Sequence, residues 1–213
     1  LPTRQALEQG FSYATIGSCI AYGRFPFDFS AYFASGTEHE IVVTDRADGL
    51  PRYLKESSDA YRLSLAAMAS CSIPVLNAPV ELDGRHDYDG GVGDSIPVGR
   101  ALAKGYGKVV VVLTRRAGVY PKVGTKAQAA YRVFFRQYPQ FRDALLSRPD
   151  RYRAQVTLLN RLEAQGRAFL IRPLEPELPH LEKNPELAAS YYRHGYTRMA
   201  ALWPELQAFL NGK

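Results

Sequence analysis

The densest group of residues that could do chemistry lies between Ala69 and Val98, where Asp89 is followed by Gly90 and Gly91. Paired glycines allow the backbone to take a positive φ and to approach another segment closely. The side chain of Asp89 can then point into a crowded site instead of solvent, where a carboxylate can take part in chemistry. Turn formation alone also explains an aspartate at the end of a hairpin. The surrounding sequence must decide between these two interpretations.

The same stretch contains an acidic cluster that could suggest a calcium site. It fails the EF-hand template, because its aspartates do not lead to a glutamate at the required spacing. The histidines lack the i, i+4 pairing of a metal-binding helix, and Gly124-Thr125-Lys126 has the phosphate-loop order reversed and incomplete. We therefore predict no metal and no cofactor. The residues in question are Asp83, His86, Asp87, Asp89 and Asp94 in the cluster, and His39, His86, His180 and His194.

Alternating extended and helical patterns surround this stretch and predict an α/β fold. Asp83-Gly84 between two short extended segments indicates a hairpin. The continuous apolar run before Thr114 implies a strand buried on both faces, as in a parallel sheet covered by helices. Trp203 and Leu206 are expected on the apolar side of the last helix. The predicted strands cover residues 39–44, 79–82, 85–88, 108–114 and 167–172, and the predicted helices cover 61–72, 98–104, 127–135, 140–147, 151–165, 185–194 and 196–210.

The order of these features resembles the second catalytic segment of the patatin-like phospholipases, in which a helix ending in S-x-x-I-P precedes a strand and then D-G-G or D-G-A. Ser70-Cys71-Ser72-Ile73-Pro74 and Asp89-Gly90-Gly91 match it residue by residue. The chain is most similar to a bacterial branch of that family with a carboxy-terminal helical extension. Further matches to this branch are Pro26-Phe27-Asp28, Val42-Val43-Thr44 through Gly49, the strand at 109–114, and R-x-x-x-Y at Arg148 to Tyr152.

The resemblance implies a lipid acyl hydrolase with a Ser-Asp dyad. A serine in G-x-S-x-G attacks the ester, and Asp89 accepts its proton with no histidine between them. It also implies a three-layer sandwich around a mainly parallel central sheet, incomplete at its amino-terminal side. We assign residues 1–125 to the catalytic core and 126–213 to a mostly helical extension packed on that core. An unperturbed aspartate is a poor base at neutral pH, so Asp89 should be partly desolvated.

The sequence departs from the family pattern in one respect, because it contains no G-x-S-x-G and no glycine-rich amino-terminal loop. The nearest candidate nucleophile is Ser12, in Gly10-Phe11-Ser12-Tyr13-Ala14. It lacks both an apolar strand before it and the second glycine of a nucleophile elbow. We interpret the chain as the carboxy-terminal part of a hydrolase whose serine lies outside these residues. The alternative is a non-catalytic binding or scaffolding module with the same fold.

Composition restricts the partners and the compartment. The net charge of +6 arises from basic residues spread along the chain and predicts only a weak preference for anionic surfaces. No nucleic-acid signature accompanies it, and two isolated cysteines favour a reducing, cytoplasmic setting. A basic-aromatic stretch could contact a membrane surface transiently or pack its aromatic side chains onto the sheet, and we favour packing. Its residues are Arg132, Phe134, Phe135, Arg136, Tyr138 and Phe141. We predict a lipid or acyl-ester substrate. The sequence gives no indication of the oligomeric state.

Overall fold

The computed structural model describes residues 27–179 and 184–212 of the 213-residue chain. They form two compact units, one from residues 27–96 and 122–151, the other from residues 97–121, 152–179 and 184–212. The elements in chain order are α1 (Phe29–Ala34), β1 (Ile41–Asp45), β2 (Pro51–Leu54), α2 (Ala60–Ser70), β3 (Val80–Leu82), β4 (Arg85–Asp89), α3 (Val98–Ala103), β5 (Val109–Val112), α4 (Thr125–Phe134), α5 (Pro139–Ala164), β6 (Ala168–Ile171) and α6 (Pro185–Asn211).

The first unit contains a four-stranded sheet in the order β2-β1-β4-β3, and every pairing is antiparallel. The predicted hairpin is confirmed, with Asp83 and Gly84 at φ of 58° and 70° between β3 and β4. Positive φ at both central residues is typical of a type I′ turn, whose twist suits the flanking strands. Helix α2 begins where Asp59 caps it, since the Asp59 carboxylate accepts from the backbone N–H of Tyr61 at 2.9 Å and of Arg62 at 3.0 Å. Local sequence chemistry therefore sets these boundaries.

Aromatic side chains form the core of the first unit. Phe141 is fully buried and its ring lies 5.1 Å from that of Tyr88 and 5.0 Å from that of Phe135. The packing option for the basic-aromatic stretch is therefore confirmed for Phe135 and Phe141. Phe134, however, is 64% exposed, and the guanidinium of Arg46 covers the ring of Tyr138 at 4.3 Å. This core supports β4, the strand that ends at Asp89.

The second unit contains a two-stranded sheet in which β5 and β6 run parallel. The strand predicted at 108–114 and its parallel partner are thus present. Burial on both faces was wrong, because Val110 is 40% and Val112 is 72% exposed. The described residues form a mixed α/β structure with one antiparallel and one parallel sheet, and they do not form a single, mainly parallel central sheet.

Two pairs of predicted helices are continuous in the structure. The helices predicted at 140–147 and 151–165 form the single helix α5, and those predicted at 185–194 and 196–210 form the single helix α6. Helix α5 continues through Pro149, although a proline lacks the N–H that bonds to the preceding turn. In the turn before this proline, the Arg151 guanidinium donates to the carbonyl of Ala144 at 2.7 Å. Leu206 is buried as predicted, while Trp203 is 51% exposed.

Candidate active site

Backbone hydrogen bonds hold Asp89 at the end of β4. Its N–H donates to the carbonyl of Ser72 at 2.9 Å, and its carbonyl accepts from the Thr44 hydroxyl at 2.9 Å and the Val92 N–H at 3.1 Å. Ser72 belongs to the S-x-x-I-P segment that follows α2, so the structure brings the two segments singled out in the sequence into direct contact. Thr44 ties the same point to β1. Three separate parts of the chain therefore fix the position of Asp89.

The carboxylate of Asp89 is half-buried, and its Oδ1 accepts from the Gly91 N–H at 2.7 Å. Burial raises the pKa of Asp89 above its ordinary value. The Gly91 N–H and the positive charge of Arg148 act in the opposite direction without cancelling the effect of burial. A carboxylate with a raised pKa is a better proton acceptor at neutral pH than a solvated one. The partial desolvation expected from the sequence is present.

The two glycines after Asp89 serve close packing, and neither has a positive φ, so that part of the expectation was wrong. A Cβ on Gly90 would lie 2.2 Å from the carbonyl oxygen of Val42 in β1, a distance that real atoms do not reach. A Cβ on Gly91 would lie 3.1 Å from Asp89 Oδ1 and 3.4 Å from Arg148 Nη2. Gly90 permits the close approach of two strands, while Gly91 keeps space open beside the carboxylate.

Arg148 lies beside Asp89 and Gly91, a position that the sequence did not reveal. It lies on α5, with Nη2 beside Gly91 and with a buried Nε that has no hydrogen-bond partner within the described residues. Its neighbour Arg151 instead donates to the carbonyls of Val92 at 2.9 Å and Ala144 at 2.7 Å. The only signal for Arg148 was the R-x-x-x-Y pattern, which carried no information on its contact with the Asp-Gly-Gly segment.

The other acidic residues of the predicted cluster are engaged elsewhere. Asp87 is fully buried and accepts from Arg52 Nη1 at 2.5 Å, and burial raises the pKa of its carboxyl group. Asp83 pairs with Arg62, and Asp94 accepts from the Tyr53 hydroxyl at 2.5 Å. Within residues 27–179 and 184–212, no three His, Cys, Asp or Glu side chains are grouped to hold a metal ion.

Several hydroxyl or thiol groups lie near Asp89 and are not arranged as its nucleophile. The Ser72 hydroxyl donates to the Met68 carbonyl at 3.0 Å, and the Ser95 hydroxyl donates to the Gly91 carbonyl at 2.6 Å. Burial and the charge of Asp89 raise the pKa of the Cys71 thiol, which disfavours the reactive thiolate. Ser12, the sequence candidate, lies outside the described residues.

Two family models match the chain. Residues 2–102 match the model described as Patatin-like phospholipase, and this match contains both the S-x-x-I-P segment and Asp89-Gly90-Gly91. This part of the chain is similar to the patatin-like phospholipases. The match is to the same family that the motifs of this segment resemble. The match covers the amino-terminal part of the chain and includes the whole four-stranded sheet.

The carboxy-terminal part of the chain matches a second family model. Residues 138–211 match a domain of unknown function, DUF6363. This second match contains Arg148, so the patatin-like domain and the DUF6363 region both contribute residues beside Asp89. No curated protein matches the chain. No helix in the described part of the chain is long and apolar enough to cross a bilayer.

Proposed function

We propose that the protein is a serine-type lipid acyl hydrolase in which Asp89 is the general base of a Ser-Asp dyad. The observation that carries this proposal is the half-buried, raised-pKa carboxylate of Asp89, fixed against the S-x-x-I-P segment inside a patatin-like domain. We place the nucleophilic serine outside the described residues and propose Gly90 and Gly91 as residues that shape the site. The three-layer sandwich and the domain division after residue 125 stay predictions.

In the proposed reaction, Asp89 takes the proton of the serine hydroxyl while the oxygen attacks the ester carbonyl. The proton then passes to the leaving alcohol, and a water molecule releases the acyl group by the same route in reverse. Backbone N–H groups would stabilise the oxyanion, as the family resemblance implies. The Gly91 N–H orients Asp89 Oδ1, which leaves Oδ2 for the serine. These steps need only side chains, backbone groups and water, so the proposal includes no cofactor.

The proposed substrate is a lipid or another acyl ester. Transient contact with a membrane surface and a cytoplasmic location also stay predictions. The exposed side chains of Val133 and Phe134, 70% and 64% accessible at the end of α4, are consistent with such contact. Phe134 belongs to the basic-aromatic stretch in which this option was first considered.

A fluorophosphonate probe tests the proposed chemistry. The complete protein, as its gene encodes it, should react covalently at a serine, and intact-mass and peptide mass spectrometry should place the adduct on that serine. Hydrolysis of a short-chain acyl ester should disappear in proportion to labelling. Absence of both labelling and hydrolysis would instead support the alternative of a non-catalytic binding or scaffolding module.

Arg148→Gln is expected to move the acid limb of the kcat/KM profile to higher pH. The Arg148 cation lowers the pKa of Asp89, so its removal allows burial to raise that pKa further. More alkaline conditions are then needed to ionise the base. The measurement is kcat/KM against pH for a short-chain ester. Arg142→Gln is the matched control, because Arg142 lies on the same helix and pairs with Asp143 at 3.0 Å. Equal profiles for both variants would exclude an effect of Arg148 on Asp89.

A further inference from the structure

Three arginines meet at one edge of the two-stranded sheet in the second unit. Arg115 and Arg116 follow β5, and Arg172 follows β6 directly. Because β5 and β6 are parallel, their carboxyl ends lie at the same edge. Ligands of open parallel sheets bind outside the carboxyl ends of the strands. The topology therefore concentrates positive charge where such sheets bind ligands.

A cavity of about 60 Å³ lies at this edge, and all three arginines line it. Tyr120 and Asn160 are also among its lining residues, and no carboxylate is. One water molecule requires roughly 10–15 Å³ of such space, so the cavity has room for about four to six oxygen atoms. A tetrahedral oxyanion presents four.

Arg116 has unused hydrogen-bonding capacity. Its Nε is buried and has no hydrogen-bond partner among the described residues. The carboxylate oxygen Glu177 Oε1 lies 3.8 Å from this Nε, which is too far for a hydrogen bond. The same oxygen accepts from the backbone N–H of Arg116 at 2.8 Å. A buried donor without an acceptor is costly, so an acceptor brought by a ligand would be favoured here.

The other arginines add capacity around the same cavity. Arg172 Nη2 donates to Asn160 Oδ1 at 2.6 Å, which leaves further donors on its guanidinium. Three arginines line the cavity, and the Glu177 carboxylate beside Arg116 offsets one of their three positive charges. Arginine forks match the oxygens of phosphate in charge and in geometry.

We propose that the cavity at the carboxyl edge of β5 and β6 binds a phosphate dianion, either free phosphate or a phosphate monoester, through Arg115, Arg116 and Arg172. This site is separate from the proposed dyad and does not depend on the hydrolase proposal. It is formed within the second unit, by residues on both sides of the boundary where the DUF6363 match begins.

Isothermal titration with inorganic phosphate tests the site, with chloride at equal ionic strength as the reference. We expect saturable binding at one site and a dissociation constant raised about tenfold or more in Arg116→Gln and in Arg172→Gln, because each loses charge-assisted hydrogen bonds. Arg167→Gln is the matched control. Arg167 precedes β6, at the opposite edge of the same sheet, and donates to the Gly107 carbonyl at 3.1 Å. The affinity of Arg167→Gln for phosphate should equal that of the unaltered protein.

Further measurements keep the outcome decisive. Circular dichroism shows whether each variant folds, and Arg115→Gln replaces any variant that does not. Phosphatidic acid vesicles that compete with phosphate, when phosphatidylcholine vesicles do not, would identify a lipid headgroup as the source, whereas competition by neither would identify a soluble phosphate, either free or as a monoester. No saturable binding at about 10 mM phosphate, or equal affinity in all variants, would overturn the proposal. Because ester hydrolysis is not the readout, this result stands apart from the test of the dyad.

Discussion

Asp89→Asn is expected to lower kcat/KM for an acyl ester by about 10²–10⁴-fold, which is the range that general-base catalysis supplies. The same substitution is also expected to stabilise the fold at neutral pH. The activity falls because an amide cannot accept the serine proton. The stability rises because the buried carboxylate has a raised pKa, so that its ionised form is the unfavourable one in the folded protein. An asparagine oxygen can still accept from the Gly91 N–H.

The stability effect has a defined pH dependence. Folding raises the pKa of Asp89, so the stability that its protonated form contributes is complete below the ordinary value of 3.8 and is lost as pH rises through the raised value. The gain in Asp89→Asn should therefore appear above that window and vanish below it. Stabilising single substitutions are commonly worth about 0.5–2 kcal/mol. Thermal unfolding between pH 3 and pH 8 gives the comparison.

Asp143→Asn is the matched control for this pair of effects. Asp143 is on α5, its side chain is 65% exposed and it pairs with Arg142 on the protein surface. We expect its substitution to change stability by less than about 1 kcal/mol and to leave activity unchanged. Normal turnover in Asp89→Asn would remove Asp89 from the mechanism. Lost turnover together with lost stability would make Asp89 a structural residue.

Local structure was predictable where a few adjacent residues determine it. The Asp83-Gly84 pair specified the hairpin, and both residues have the positive φ that the turn requires. The helix and strand around the Asp-Gly-Gly segment also lie where the sequence indicated, at Ala60–Ser70 and Arg85–Asp89. In each case the preference depends on neighbouring residues, so a single sequence contains enough information.

Sheet architecture was less accessible, because pairing joins residues that are far apart in the chain. The valines of β5 indicated a strand, but an apolar run does not specify whether both faces are covered, and Val112 is mostly exposed. Helix α5 was also predicted as two helices, yet it continues through Pro149, where one backbone hydrogen bond is lost. Packing around a helix can outweigh that local cost.

The site was predictable only in part. Family resemblance, rather than periodicity, linked the S-x-x-I-P segment to Asp89, and the hydrogen bond from Asp89 to Ser72 now gives that link a physical form. Arg148 lies far along the chain on a helix with no local signal for its contact. The glycines were recognised as permissive, but Gly90 is needed for strand approach and not for an unusual φ.

Gly90→Ala is expected to destabilise the fold by more than about 4 kcal/mol, a cost associated with severe steric conflict in a packed site. The added Cβ would lie 2.2 Å from the carbonyl oxygen and 2.5 Å from the carbonyl carbon of Val42. A Cβ is fixed by the backbone, so no side-chain rotation relieves the clash. Relief requires β1 and β4 to separate where Val43 pairs with Asp89. Urea unfolding, or failure to obtain soluble protein, measures the effect.

Alanine substitutions at two other glycines serve as controls, because they distinguish this clash from a general effect of replacing glycine with alanine. Gly99→Ala should stabilise the protein by about 0.5–1 kcal/mol, because its Cβ would meet nothing within 4 Å in helix α3. Gly91→Ala should cost less stability than Gly90→Ala, since its nearest contacts are side-chain atoms of Asp89 and Arg148 that can shift. It should still reduce turnover, because those shifts move the base. If Gly90→Ala unfolded at the same urea concentration as Gly99→Ala, then β1 and β4 could not lie as close as described, and the crowded setting that raises the pKa of Asp89 would have to be reconsidered with them.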